Sequence, residues 1–172
     1  MKQQDDLNKR CFPPVVDTDT RLLILGSLPG DASLAKQQYY AHPQNRFWHL
    51  LGDVLNVNLL EINYQQRLKT LLKHHIGLWD VVAQAKREGS LDSNITERDD
   101  NDLHALLDTL PNLKAIAFNG GTANKIGLKI LGHRASAFQI YALPSSSPAY
   151  TLPYAEKLQQ WQILSSINDK TL

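Results

Sequence analysis

The chain has 172 residues, of which 42% are hydrophobic, and its 18 Lys and Arg nearly balance its 17 Asp and Glu, for a net charge of +1. This length suits one domain over residues 1–172, and the small net charge gives no global attraction to nucleic acid, so DNA binding would need a local basic face. Cys11 is the only cysteine, which excludes an intramolecular disulfide, an iron–sulfur cluster and a cysteine-rich zinc site.

Residues 1–12 are polar and charged, and we expect them to form a loosely ordered terminus. They lack the apolar region of a signal peptide, and no later stretch has the length of a membrane span, so we expect a cytoplasmic protein with no membrane partner. The histidines are scattered, apart from the adjacent His74 and His75. We therefore expect no metal site, and no motif indicates a cofactor.

The strongest early signal is the apolar run Leu22–Leu25, which ends at the turn Gly26-Ser27-Leu28-Pro29-Gly30. Such a run predicts a strand buried on both faces, and ligands of open α/β sheets bind at the carboxyl ends of strands. A loop follows that contains Tyr39, Tyr40, His42, Asn45, Arg46, Phe47 and Trp48. Its rings, amide and cation suit a planar polar ligand such as a base. The alternative is a common turn whose loop aromatics only pack on the core.

The rest of the chain alternates between predicted strands and helices. Further strands are expected at 76–82, 113–118 and 138–143. Helical spacing of apolar residues predicts helices that begin near 43–45 and end at 55, and helices at 64–74, 101–110, 122–131 and 153–168. Residues 88–100 are interpreted as an exposed loop. This order predicts an α/β fold, a three-layer α/β/α sandwich around a central, mostly parallel four-stranded sheet.

The turns after parallel strands meet at one edge of the sheet. Asn119 follows the third strand, and residues 145–150, Ser-Ser-Ser-Pro-Ala-Tyr, follow the fourth. Small hydroxyl residues with free backbone N–H groups are suited to hold a phosphate. The alternative is a solvated serine-rich turn.

Three stretches together resemble the uracil-DNA glycosylase superfamily. Residues 26–30 are similar to its first motif, G-x-x-P-G, and residues 76–82 to its I-G-L-x-D/N-x-V element. The run Tyr40-Ala41-His42-Pro43-Gln44-Asn45-Arg46-Phe47-Trp48 resembles the A-H-P-x-N-R-F-W run of the mismatch-specific enzymes. The full Q-Y-Y-A-H-P-x-N-x-F-W pattern is most similar to the DNA-deoxyinosine (hypoxanthine-DNA) glycosylase branch. Residues 145–150 occupy the place of the second motif, which presses into the minor groove.

The resemblance implies a monofunctional glycosylase that rotates a deaminated base out of double-stranded DNA and hydrolyses its N-glycosidic bond. Tyr40 stands where relatives stack an aromatic ring on the base, and Ala149 and Tyr150 stand where relatives insert an apolar wedge. The expected base pocket consists of Gly26, Ser27, Leu28, Pro29, Gly30, Tyr39, Tyr40, His42 and Asn119. The expected DNA-binding residues are Ser145, Ser146, Ser147, Pro148, Ala149, Tyr150, Arg46 and Lys125.

One departure concerns the catalytic position. Relatives hold the attacking water with Asp or Asn directly before the motif proline, or with Glu one residue earlier, whereas this chain has Leu28 and Ser27. Asn45 is the expected replacement, since its amide can accept from a water and donate to it or to the base. The alternative for Asn45 is a helix N-cap, and the two roles can coexist.

Several functions remain open from the sequence. Hypoxanthine is the first expected substrate and uracil opposite guanine the second. The missing group at Leu28 favours a rival, a non-catalytic reader of damaged or abasic DNA. A third possibility is an α/β enzyme for small phosphorylated metabolites. A monomer is expected because it suits a reader of duplex DNA.

Overall fold

The computed structural model describes residues 7–169, and the side chains of residues 168 and 169 lie outside that description. Seven strands are found there: β1 Asn8–Arg10, β2 Leu22–Gly26, β3 Ile76–Asp80, β4 Val82–Lys86, β5 Thr96–Asp100, β6 Ala115–Asn119 and β7 Gln139–Leu143. The α-helices are α1 Asp31–Lys36, α2 Phe47–Leu55, α3 Tyr64–Lys73, α4 Leu103–Asp108, α5 Gly121–Leu131, α6 Tyr154–Trp161 and α7 Ser165–Asp169.

The predicted four-stranded sheet is confirmed. Its order is β3-β2-β6-β7, and all neighbours are parallel. The register pairs Gly26 with Asp80, Leu25 with Phe118, and Asn119 with Leu143. The carboxyl ends of the four strands therefore form one edge, where the turns after them meet.

Alternate residues of the strands supply two separate cores, one on each face of the sheet. Leu22 and Ile24 pack with α2, α3, α6 and α7, whereas Leu23 and Leu25 pack with α4, α5 and β4. This two-sided burial explains why the strands read as continuous apolar runs. The predicted three-layer arrangement is therefore correct.

A second, antiparallel sheet in the order β1-β4-β5 was not predicted from the sequence. The prediction of an exposed loop at 88–100 is wrong for its second half, because Thr96–Asp100 pairs with β4. The expected loose terminus is wrong for Asn8–Arg10, which also pairs with β4, while residues 1–6 lie outside the described part. Both strands are short, polar and at the sheet edge, so they carry no hydrophobic alternation that a sequence pattern could show.

The predicted helices are present with shifted ends. The closing helix is divided into α6, a 3-10 turn at Gln162–Leu164, and α7. The short helix α1 was missed, since six residues give less than two turns of pattern. Within residues 7–169, no helix is long and apolar enough to cross a membrane.

We expect Gly127→Ala to lower the free energy of unfolding by about 1–3 kcal/mol, because overpacking a filled core forces its neighbours to move. A Cβ at Gly127 would lie 2.1 Å from Cε1 of Phe118. The matched control is Gly121→Ala in the same helix, where a Cβ would meet nothing within 4 Å. Urea denaturation measures both variants, and equal stabilities would contradict this account of the packing of α5.

Candidate active site

The site is centred on Gly26, the last residue of β2. A Cβ at this position would lie 2.6 Å from Oδ1 of Asp80 and 2.9 Å from the hydroxyl oxygen of Tyr40. Only glycine leaves room for both groups, which therefore lie beside each other against the strand end. Asp80 comes from the neighbouring strand and Tyr40 from the loop before α2.

Both groups are buried without hydrogen-bond partners among the described residues. The Tyr40 hydroxyl and Asp80 Oδ2 have no hydrogen-bond partner. Asp80 is only 4% exposed, so solvent does not supply one freely. Burial and the negative charge of Asp92 raise the pKa of Asp80 to about 7, against an opposing effect of Arg87. Burial, with the charge of Asp80, also raises the pKa of Tyr40, so its hydroxyl keeps its proton. Unpaired buried polar groups cost free energy, and their persistence is typical of a site that a ligand completes.

The Tyr40 ring is held in a strained position. Its backbone has φ of 57°, in the left-handed region, which is costly for a residue with a bulky side chain. Its ring stacks on Phe47 with centroids 3.8 Å apart and planes 18° apart. Since Phe47 covers one face of Tyr40, only the opposite face remains for a base.

Three predicted pocket residues face away from this position. Leu28 is 7% exposed and packs in the core beneath α4 and α5. Tyr39 is 4% exposed, and its hydroxyl donates to the Pro13 carbonyl, so it supports Tyr40 from behind instead of donating to a ligand. His42 is exposed, and its Nδ1 accepts from the Gln44 N–H. These side chains point away because Leu28 packs in the core, Tyr39 bonds the chain before β2, and His42 bonds its own loop.

Asn45 lies one residue before Arg46, the N-cap of the helix that carries Trp48. Its Oδ1 accepts from the Phe47 N–H at 3.0 Å, and the residue is half-buried. The N-cap alternative for Asn45 is therefore wrong by one position, because the N-cap is Arg46, although the Asn45 oxygen still engages the first helical N–H. With the oxygen engaged, the amide is better placed to donate through its NH2 group than to accept from a water.

Asn119 ties the second motif to the sheet. Its Nδ2 donates to the Ser146 hydroxyl at 2.9 Å and its Oδ1 accepts from the Ser146 N–H at 2.9 Å. Ser146 is buried, and its carbonyl accepts from the Arg46 N–H at 3.0 Å. The two loops that carry the predicted site residues are thus joined to each other and to the end of β6.

The expected cradle of free backbone N–H groups in residues 145–150 is wrong for four of the five N–H groups, which are already engaged. The Ser147 N–H donates to the Ser145 hydroxyl, and the Ala149 N–H to the Ser147 hydroxyl. The N–H groups of Ser146 and Tyr150 are also engaged. A tight serine-rich turn satisfies its own donors, so hydroxyl groups and nearby cations are left for a phosphate.

Lys157 is the cation that sequence reasoning missed beside this loop. Its Nζ donates to the Ser147 carbonyl at 3.1 Å and lies 5.5 Å from the centre of the Tyr150 ring. Tyr150 itself is 49% exposed. Pro148 and Ala149 are also exposed. Arg46 and Lys125 are exposed on the loop before α2 and on α5.

The profile of the Uracil DNA glycosylase superfamily matches residues 13–169. The chain belongs to this superfamily. A protein from Methanosarcina barkeri named hypoxanthine DNA glycosylase is 44% identical over 155 residues, which cover 90% of this chain and 96% of the relative. One of the same name from Methanosarcina acetivorans is 42% identical over 154 residues, with the same shares covered.

The fold of this superfamily member is also found in a solved structure. A solution NMR structure from Methanosarcina acetivorans, described as a candidate uracil DNA glycosylase, superposes with a TM-score of 0.83 at 41% identity. The comparison covers 94% of this chain and 99% of the other. Within residues 7–169, no group of three or more His, Cys, Asp or Glu is arranged to hold a metal ion.

Sequence analysis gave no role to Asp80, Arg87 or Asp92, although all three lie around the first motif of this glycosylase-superfamily chain. Arg87 has a fully buried guanidinium whose Nη2 donates to the Pro29 carbonyl at 2.6 Å. Asp92 Oδ1 accepts from the Ser27 hydroxyl at 2.6 Å. Asp80 lies within residues 76–82, which resemble a superfamily element. Nothing in the sequence shows that Arg87 and Asp92 reach the turn at residues 26–30.

We expect Asp80→Asn to flatten the dependence of stability on pH. A folded-state pKa of about 7, against an ordinary 3.8, means that the folded chain keeps a proton which the unfolded chain loses above pH 4. The free energy of unfolding of the wild type should thus fall between about pH 4 and 7, by up to roughly 4 kcal/mol. Urea denaturation at pH 5 and 8 measures this change, with exposed Glu88→Gln as the control. The same slope in Asp80→Asn and wild type would contradict the buried carboxyl as its source.

Proposed function

We propose that this chain is a monofunctional DNA glycosylase that excises hypoxanthine from double-stranded DNA and leaves an abasic site. The observation that carries the proposal is the pair of unpartnered groups, Asp80 Oδ2 and the Tyr40 hydroxyl, buried beside Gly26 at the ligand edge of the sheet. Membership of the superfamily and the names of the two Methanosarcina relatives support it.

These two groups match the edge of a deaminated base. Hypoxanthine presents an N1–H donor beside the O6 acceptor, whereas adenine presents an N1 acceptor beside an amino group. An ionised Asp80 accepts from N1–H, and the Tyr40 hydroxyl donates to O6. Adenine would place its N1 lone pair against the carboxylate, so the same pair rejects the parent base.

Uracil is the second candidate substrate because it carries the same pattern, an N3–H beside the O4 acceptor, while its parent cytosine reverses it. The hydrogen bonding of the pocket therefore rejects adenine and cytosine, whereas guanine and thymine carry the same donor and acceptor and have to be excluded by the shape of the pocket. The size of the pocket, not its hydrogen bonding, has to separate the purine from the pyrimidine. A non-catalytic reader of damaged DNA is the remaining alternative, and the excision assay below distinguishes it.

The other site residues take roles consistent with their positions. The free face of Tyr40 stacks on the base, and the NH2 group of Asn45 donates to the substrate or to water. Asn119 fixes the second motif, whose exposed Ala149 and Tyr150 provide the wedge. The phosphate contacts come from the hydroxyl groups of Ser145 and Ser147 and from the exposed cations Arg46 and Lys125, while the buried Lys157 holds the Ser147 carbonyl.

We propose that residues 1–172 form one catalytic domain that works as a cytoplasmic monomer. No lysine belongs to either motif, so water, and not an amine, is the expected nucleophile. The C1′–N9 bond breaks with its electron pair on the base, and the cationic character that develops on the sugar is stabilised by the DNA phosphates and by fixed dipoles of the site.

We expect the wild type to release hypoxanthine from a labelled duplex, and Asn45→Ala to lose most of that activity, about 100-fold or more, because positioning of the reacting groups is lost. Single-turnover excision is measured on matched duplexes that contain hypoxanthine or uracil. Gln44→Ala, an exposed neighbour on the same loop, is the control and should retain the wild-type rate.

The outcomes of this assay separate the candidates. Release of uracil alone would leave the glycosylase function in place and overturn the first substrate. Release of neither base, together with binding of abasic DNA, would show a reader instead of an enzyme. An unchanged rate in Asn45→Ala would remove that residue from the mechanism.

We expect Asp80→Asn to lower the single-turnover rate on hypoxanthine by about 10- to 100-fold at pH 8, where the wild-type carboxyl is ionised. A hydrogen bond to a charged acceptor is worth about 1.5–3 kcal/mol, and each 1.4 kcal/mol is a factor of ten. Asn is close to Asp in size, and urea denaturation checks that the variant is folded. A rate equal to that of the wild type would contradict recognition of the base by Asp80.

A further inference from the structure

The first motif of this chain has no carboxylate or amide to hold the attacking water. Leu28 stands in the position where relatives carry Asp or Asn, and its side chain is buried in the core. Asn45 has its oxygen engaged by the Phe47 N–H. If the chain hydrolyses a glycosidic bond, as proposed above, another acceptor has to lie near the turn.

A carboxylate reaches the turn from a distant part of the chain. The Ser27 hydroxyl donates to Asp92 Oδ1 at 2.6 Å across 65 positions of sequence. This distance is in the range of a charge-assisted O–H···O⁻ hydrogen bond. Ser27 is half-buried and Asp92 is exposed as a residue, so the pair is accessible to water. Since the Ser27 hydroxyl donates its hydrogen bond to Asp92, the lone pairs of the Ser27 oxygen are free to accept a hydrogen bond from a water.

The segment that carries Asp92 is fastened to the first motif at several points. The buried Arg87 donates to the Pro29 carbonyl through Nη2 and to the Gly89 carbonyl through Nε. The Ser90 hydroxyl accepts from the Asp31 N–H at 2.9 Å. These contacts hold the segment between β4 and β5 against the turn at residues 26–30. The position of Asp92 beside Ser27 is therefore fixed by the fold.

Two charged residues, Arg87 and Asp80, and two hydroxyl donors lie around Asp92. Partial loss of water from the carboxyl group raises its pKa, while hydrogen bonds from Ser27 and Thr122 and the charge of Arg87 act in the opposite direction. Asp80 on β3 faces the same region, and its own pKa is raised in part by Asp92. A carboxylate with a raised pKa is a stronger base than an ordinary one.

We propose that Ser27 and Asp92 act as one unit that orients and deprotonates the attacking water. Ser27 is the catalytic residue, because its oxygen contacts the water, and Asp92 is a positioning residue that acts through it. The water oxygen bonds to C1′ as the C1′–N9 bond breaks with its electron pair on hypoxanthine. The water proton passes to Ser27 while the Ser27 proton passes to Asp92. Transfer of that proton through solvent to hypoxanthine restores the carboxylate, so atoms and charge balance.

The test is a single-turnover excision assay on a hypoxanthine duplex over about pH 5 to 9. The variants are Ser27→Ala, Asp92→Asn and the double variant, with Glu88→Gln as a control that removes one exposed carboxylate from the same loop. Each single variant should slow excision by about 100-fold, the usual scale of general-base assistance. The double variant should be no slower than the slower single variant, because the two residues share one step.

The pH profile distinguishes chemistry from folding. The wild-type rate should rise with pH through two ionisations, those of Asp92 and Asp80, and Asp92→Asn should retain only the second, shifted to lower pH because a neighbouring charge is gone. Additive losses of about 10⁴-fold, or a profile unchanged in Asp92→Asn, would overturn the proposal. If the wild type, Ser27→Ala and Asp92→Asn are all equally active, only the Ser27–Asp92 unit is overturned. If the wild type itself is inactive, the proposed function is overturned.

Discussion

The parallel pairing of β2 with β3 and β6 is the constraint on which the site depends. It places Gly26, Asp80 and Asn119 at the same edge, although they are 54 and 39 positions apart in sequence. The missing side chain of Gly26 then allows Asp80 and Tyr40 to approach the strand end together. A larger residue at this position would separate the two groups that we propose to contact the base edge.

The site departs from ordinary burial at the position where the ligand is expected. A carboxylate, a hydroxyl and part of a guanidinium are buried with unpaired atoms, and Tyr40 has a left-handed backbone conformation. Each of these features opposes folding, and two extensive apolar cores on the faces of the sheet offset them. The arrangement is preorganised because the polar groups are fixed before a base enters.

The small antiparallel sheet has a functional consequence. Its edge strands are polar and contribute little to the cores, but the loop between β4 and β5 extends to the first motif and contacts it through Arg87, Ser90 and Asp92. Under the mechanism proposed above, the approach of Asp92 to Ser27 compensates for the apolar side chain of Leu28 in the same turn.

The sequence by itself determined the superfamily, the four-stranded parallel sheet and the two loops that form the site. Those features arise from local signals: continuous apolar runs for doubly buried strands, helical spacing, and long irregular motifs such as residues 40–48. It also singled out Tyr40, Asn45 and Asn119 as candidate site residues, since they follow directly after or between those signals. It placed Leu28 and Tyr39 in the pocket because a motif gives positions along the chain and not the direction of a side chain.

Tertiary structure alone decided which polar groups are buried without partners and which distant residues meet. Asp80 becomes unusual only when the Gly26 strand lies beside it and excludes water. Asp92 reaches Ser27 through pairing of short polar strands, whose backbone hydrogen bonds leave no pattern in side-chain type. Burial and long-range pairing are properties of the whole packed chain, and no local stretch of sequence specifies them.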